Sequence, residues 1–394
     1  MARSRTRIVI LAACLIATTA MAAEWQRETV DAGDAVGLYP AIAVDPSGGV
    51  YISYYDAGPG DLKVATKTTG AWRIQAVDTD GNVGTHTSIT VDGWPAPHVV
   101  YRDETNDYVK YAWFDTTSWH TDVFDDGGGN GFYTAIAINV DTDALFIEYR
   151  NTFTQVLHVV LCEEDCVFEI PDEGQAVDWG ASMARGVGDV LNVTYQDAES
   201  ASLWHAQRDG SGWTTENVDP AVDTGRINSV AVDSQGRPHV GYYAFADGDV
   251  RYAVKSDGAW TTETVDGADW VGFRTSIAVD PSDRPHLVYF DLTDQTIEHA
   301  VKDGGAWTID TVGENADEYC AVAAGADGSL HVAYHDTASG LAYAYLAPVA
   351  DDDDDTGDDD TADDDAGDDT AGDDSADDTG DDDSGGHAHG GCGR

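Results

Sequence analysis

Basic residues are scarce. The 394-residue chain has 20 lysines and arginines against 73 aspartates and glutamates, a formal charge of −53. Such a surface repels phosphate, which excludes nucleic acid as a partner and disfavours anionic lipid. Long apolar runs are also lacking. The one sustained run begins at Ile8, is short, and has no polar stop-transfer flank, so no transmembrane segment is expected. A 3.6-residue apolar period is missing throughout, which argues against a helical fold. Cysteine is sparse as well. Cys162 and Cys166 flank three acidic residues; a zinc site would need two more ligands nearby, and none is adjacent. In an oxidising compartment a small hairpin-closing disulfide between them is the expectation. Cys320 has no evident partner.

The two ends differ from the body. Residues 1–22 carry three arginines, an apolar run and the small-residue site Ala20-Met21-Ala22, the pattern of a secretory signal. Leu11-Ala12-Ala13-Cys14 looks like a lipobox, which would place lipid on Cys14. Only six apolar residues separate Arg7 from Cys14, below the roughly 7–15 of an apolar core, so plain secretion is favoured. Residues 351–394 form an aspartate-rich tail. Twenty of its aspartates fall between 351 and 383, leaving −33 on the remainder. With no apolar surface to bury, this tail is expected to be a disordered spacer. Its end, SGGHAHGGCGR, resembles the stretch before the surface-sorting signals of myxobacteria-like Gram-negative proteins. The hydrophobic helix and basic cluster that normally follow the cysteine are missing here, which puts sorting through Cys392 in doubt. The resemblance implies a secreted or cell-surface bacterial protein.

What the body has in abundance is repetition. RPHVGYYAFADGDVRYAVKSDGAW at 237–260 returns as RPHLVYFDLTDQTIEHAVKDGGAW at 284–307, 47 positions later. Tryptophans mark the period: Trp25, Trp72, Trp119, Trp213, Trp260 and Trp307, with Phe168 standing in the one double gap. A tyrosine two residues after an aliphatic side chain marks it again, at Tyr54, Tyr101, Tyr149, Tyr195, Tyr242, Tyr289 and Tyr334. Seven units at a near-constant period signal a repeat architecture. Each unit holds four short runs rich in Val, Tyr, Thr and Trp, separated by Asp-Gly, Asp-Pro or Ser-Gly turns. The two middle runs are apolar on both faces, and the last is more polar. The prediction is an all-β, seven-bladed β-propeller of four-stranded antiparallel blades over residues 23–350. A lone fourth-type strand opens the body and a third-type strand ends it. The N-terminal strand should therefore complete the last blade and close the ring.

The turn Ser256-Asp257-Gly258-Ala259-Trp260 resembles a contracted Asp-box of sialidase-like propellers. The whole repeat, with its PHVxYYD core, is similar to that of secreted bacterial propellers. The resemblance implies this fold and says little about chemistry, since Asp-boxes lie on the rim away from the site. The repeated Trp and Tyr are expected in the core. His98, His239, His286 and His331 belong to different blades, too far apart to share an ion. The aspartates at 45, 92, 233 and 280 are expected to accept turn N–H groups.

Function should sit where the repeats differ. One position just before the innermost strand reads Tyr39, His86, Tyr133, Trp179, Ile227, Arg274 and Tyr319. The residue ahead of each reads Leu38, Thr85, Phe132, Asp178, Arg226, Phe273 and Glu318. These should ring the mouth of the central channel, where they either plug it or bind a ligand. Further out on the same face should lie Tyr55, Arg102, Arg150, Gln196, Tyr243, Phe290 and His335. Flat aromatic faces beside arginine and carboxylate suit sugars. The expected site is thus Tyr39, His86, Tyr133, Trp179, Arg226, Phe273, Arg274, Glu318 and Tyr319. The expected function is a non-catalytic module binding carbohydrate or an envelope polymer. Two alternatives stand beside it. A sialidase-like glycoside hydrolase would need two carboxylates roughly 5–10 Å apart, for which Asp178, Glu318, Asp269 and Asp317 are available. A calcium-dependent adhesion scaffold is suggested by Asp78-Thr79-Asp80-Gly81-Asn82, half a calcium loop that lacks a terminal glutamate. No cofactor is required by the first reading.

Overall fold

The computed structural model describes residues 24–163, 165–268 and 270–348. The expected signal with Cys14, the tail with Cys392, and Asp269 lie outside them. The tight turns read from the sequence fold each repeat into an antiparallel sheet. In the fifth repeat the strands are Thr224–Val232, Pro238–Ala244, Asp249–Ser256 and Ala259–Asp266. There are seven such sheets, each four-stranded and each a blade of a β-propeller. Among the described residues the only helical segment is a 3-10 turn, Val187–Asp189, and no helix is long and apolar enough to cross a membrane.

The burial gradient explains the composition of the runs. Second strands are almost wholly buried, as in Val50–Asp56 and Pro238–Ala244. Outer strands such as Ala259–Asp266 alternate toward solvent. Closure occurs as the strand count requires. Gln26–Ala32 pairs with Gly340–Leu346, running from Gln26 opposite Tyr345 to Thr29 opposite Ala342. Trp25, just before this strand, is 6% exposed. Its Nε1 donates to Asp310 at 2.5 Å, and its ring meets His299 edge-on at 5.3 Å.

Neighbouring blades are joined by recurring contacts. The landmark tyrosines are buried, and six of them donate to an aspartate at or just past the end of the previous blade's outer strand. Examples are Tyr54 to Asp31 at 2.7 Å, Tyr195 to Asp172 at 2.7 Å and Tyr242 to Asp219 at 2.8 Å. At the seventh boundary the aspartate is replaced by Gly313, and the ring of Tyr334 fills the space a side chain would need. The outer tryptophans clasp backwards: Trp72 reaches Glu28, Trp213 reaches Glu169 and Trp307 reaches Glu263, with Lys67, Arg208 and Lys302 on the same carboxylates. Inner strands have a free edge toward the channel. Ser88, Ser182, Ser229 and Ser276 cover part of it, each accepting a backbone N–H from the next blade's inner strand.

One landmark is corrected. The residue three before Glu169, in the place of Trp25 before Glu28, is Cys166 and not Phe168. Blade 3 thus has a disulfide, Cys162–Cys166, closing its outer hairpin where the other blades have tryptophan. The histidines serve their own turns. His239, for example, bridges Asp233 and Tyr252, while Asp233 also accepts the N–H groups of Gln235 and Arg237. Asp45, Asp92 and Asp280 cap their turns in the same way.

Candidate functional site

The inner strands of all seven blades line a channel of about 310 Å³, within the range of ligand-binding clefts. Its mouth is shaped by a bulge repeated in the inner strands. In blade 1, Leu38 pairs with Tyr55, but the ladder resumes only at Ala41 opposite Ser53. Tyr39 therefore sits at φ +50°, and His86, Tyr133, Ile227 and Arg274 take the same left-handed conformation. These residues belong to bulged strands, not to loops preceding them. The bulge re-aims a side chain that would otherwise alternate with the pleat. Left-handed backbone at non-glycine residues is costly, and its recurrence at one level of the ring marks that level as constrained.

Blade 4 departs from the expected register. Its bulge residue is Gly180, at φ +62°. Trp179 stands one place earlier, beside Leu38, Phe132 and Arg226 in register, and is 48% exposed. The cause is spacing: Ser182 pairs with Thr194 just before the landmark Tyr195, as Ala41 pairs with Ser53 before Tyr54. A Cβ on Gly180 would come within 2.5 Å of the Ile227 nitrogen, so the close approach of blades 4 and 5 demands glycine.

The expected residues fall into two groups. Around the channel, rings follow one another from Tyr319 to Tyr39 at 4.7 Å, Tyr39 to His86 at 4.7 Å and His86 to Tyr133 at 5.4 Å. The guanidinium of Arg274 lies over Tyr319 and Tyr39, 5.0 and 5.3 Å from the ring centres. Glu318 is 3.9 Å from its Nε. Burial, reinforced by Arg274 and Arg102, drives the His86 pKa well below its ordinary value, so the imidazole is neutral. Burial raises the Tyr319 hydroxyl, and the facing Tyr39 raises it further.

The second group forms a shelf over blades 5 and 6. Arg226 stacks on Phe245 at 4.1 Å. Tyr243 meets Phe273 edge-on at 5.8 Å, and Phe245 meets Trp270 at 6.4 Å. Phe245 and Trp270, which sequence reasoning did not select, are 38% and 53% exposed. Their signal was available: Trp270 stands where sister blades carry small or polar residues, and Phe245 where all but one, with Leu292, do. Of the second-strand ends, Arg102 stacks on Phe132 at 3.7 Å, and Arg150 Nε donates to the Val177 carbonyl at 2.7 Å. Gln196 donates to the Thr224 carbonyl, and His335 pairs with Asp317. Two residues below Arg150 on the same strand face is Glu148. It is fully buried, and neither carboxylate oxygen has a partner. Burial alone pushes its pKa well up.

No family model matches the chain, and no curated protein matches it. Solved structures match in fold. A PL25 polysaccharide lyase, an ulvan lyase bound to a GlcA(1-4)Rha3S saccharide, aligns with a TM-score of 0.56 at 16% identity, over 81% of this chain and 94% of that one. A catalytically inactive virginiamycin B lyase from Staphylococcus aureus with quinupristin gives 0.57 at 10% identity, over 82% and 100%. The fucose-specific lectin from Aleuria aurantia gives 0.50 at 11%, over 72% and 97%. The chain shares a propeller with these proteins. At such identities the likeness is one of fold, and a fold of this kind hosts many functions. Among the described residues, no group of three or more His, Cys, Asp or Glu side chains is placed to hold a metal ion.

Proposed function

We propose that this propeller is an exported, non-catalytic module that binds carbohydrate or an envelope polymer at its channel mouth. One observation carries the reading. On the mouth face the exposed large apolar side chains Phe153, Trp179, Val222, Phe245, Trp270 and Leu292 all come from blades 3 to 6. They share that face with Tyr39, His86, Tyr133 and Tyr319, which stand on the inner strands of blades 1, 2, 3 and 7. Exposed aromatic faces beside guanidinium and carboxylate groups match the two needs of a sugar, an apolar face to stack and hydroxyls to bond. Other exposed apolar side chains, Trp94 and Val187 among them, lie off this face, but among the described residues only here do several aromatics group beside arginines, the pattern of an interaction site. Two of the solved propellers of this shape are described by their saccharides, a GlcA(1-4)Rha3S unit and fucose. Export is supported by the leader-like residues 1–22 and by the Cys162–Cys166 disulfide.

The test is a glycan array on the full chain, run with and without calcium, alongside chromogenic glycoside assays. Binding without turnover is expected, lost in Tyr133→Ala and weakened in Trp179→Ala. Turnover abolished by Asp178→Asn or Glu318→Gln would replace binding with hydrolysis. A signal present only with calcium would favour the adhesion scaffold.

A further inference from the structure

The arginines of the mouth run against the trend of the chain. In a protein with a formal charge of −53, Arg102, Arg150, Arg226 and Arg274 all stand on the channel-mouth face. Three of them sit over aromatic rings: Arg102 over Phe132, Arg226 over Phe245, and Arg274 over Tyr319 and Tyr39. Stacking occupies the face of a guanidinium and leaves its N–H edge in plane for acceptors.

Those edges are underused. The Nε of Arg102, of Arg226 and of Arg274 is in each case buried without an acceptor. Arg102 is only 7% exposed, with Asp107 on one terminal nitrogen. Arg226 has Asp223 at 3.2 Å on one terminal nitrogen. Glu318, at 3.9 Å from Arg274 Nε, is beyond hydrogen-bond length. Buried donors are normally satisfied, and a recurring exception on one face calls for a cause. Arg251, further out on the same face, also has an unpaired Nε, but both of its terminal nitrogens already rest on carboxylates. The local field points the same way. Arg274 and Arg102 both help keep His86 neutral, and Arg274 and Arg150 oppose the upward push of burial on Tyr133. The channel ring thus carries concentrated positive charge, set beside the carboxylates of Asp317 and Glu318.

We infer that the mouth selects an anionic saccharide, with Arg274 and Arg102 taking its carboxylate or sulfate while the sugar ring lies against the Tyr39–His86–Tyr133 wall. This rests on the carbohydrate reading and narrows it to a charge class. Glu318 is then placed to accept a sugar hydroxyl. General repulsion from the acidic body falls away within about 8 Å at physiological salt, so short oligosaccharides suit the site better than long polyanions.

Calorimetric titration of the full chain tests this with four trimers: galacturonate, its methyl ester, a sulfated galactose oligomer and neutral maltotriose. The acid or the sulfated trimer binds, and which of the two binds names the anion. Arg274→Gln should weaken that binding roughly 10- to 100-fold, as expected for loss of a charge-assisted hydrogen bond. Arg274→Lys should restore only part of it, because an ammonium lacks the planar fork. Thermal melts of both variants confirm the fold. Ester and maltotriose binding as tightly as the charged trimers, or Arg274→Gln without effect on them, would overturn the inference. If neutral trimers bind and Tyr133→Ala abolishes it, the glycan reading survives and the anion selectivity falls. If no saccharide binds, both fall.

Discussion

Replacing Glu148 by glutamine should stabilise the protein by a margin that grows with pH. In the folded state this carboxyl is fully buried on the second strand of blade 3, with no partner for either oxygen. Burial pushes its pKa well above the ordinary 4.5. The unfolded chain releases its proton near pH 4.5 while the folded chain retains it. Folding is therefore unpenalised below the unfolded pKa, and stability is lost as pH rises toward the folded one. The loss approaches about 1.4 kcal/mol for each pH unit above the unfolded pKa, until the folded pKa is reached. Glutamine has the shape of the protonated acid and no proton to lose. The two proteins should have similar stability near pH 4.5 and separate steadily above it. Guanidinium unfolding followed by tryptophan fluorescence, at half-unit pH steps, measures the margin. The comparison with wild type matters because other carboxylates move oppositely: at Asp78, burial is outweighed by hydrogen bonds from Lys110 and Tyr101, which hold its pKa below the usual range. A margin that stays flat from pH 5 to pH 7 would refute the reasoning, since it would mean that the folded state ionises Glu148 as readily as the unfolded one.

The blade-to-blade latch predicts unequal outcomes for equivalent tyrosines. Tyr242→Phe strips the donor from Asp219 and should cost about 1–3 kcal/mol, whereas Tyr334→Phe, facing Gly313 instead of an aspartate, should cost far less; urea midpoints compare them directly. Trp25→Ala removes a buried ring from the closing blade and should cost about 3–5 kcal/mol. Its thermal unfolding is expected to begin with loss of blade 7, seen as early amide exchange of residues 340–346, and simultaneous exchange of all blades would count against closure as the weak point.

Much of the fold was legible in the sequence because a propeller repeats one local problem seven times. Each unit must cover its middle strands on both faces, so period, strand order and burial gradient are all written in the positions of Val, Tyr and Trp. The strand count alone implied that Gln26–Ala32 joins Gly340–Leu346. The site was legible only in part. Counting back from a motif assumes a fixed offset, and Trp179 shows where that fails: blade 4 places Gly180 at the bulge because a side chain there would strike the backbone of Ile227. In the same way Cys166, and not Phe168, takes the tryptophan position. The sequence by itself determined seven sheets, a closed ring and a face on which the blades differ, since these follow from local patterning and from counting. Only the tertiary structure decided which arginines lie on which rings, that three of their Nε–H groups lack acceptors, and that Glu148 is sealed from water. Those properties belong to contacts between blades, and one residue of register moves them.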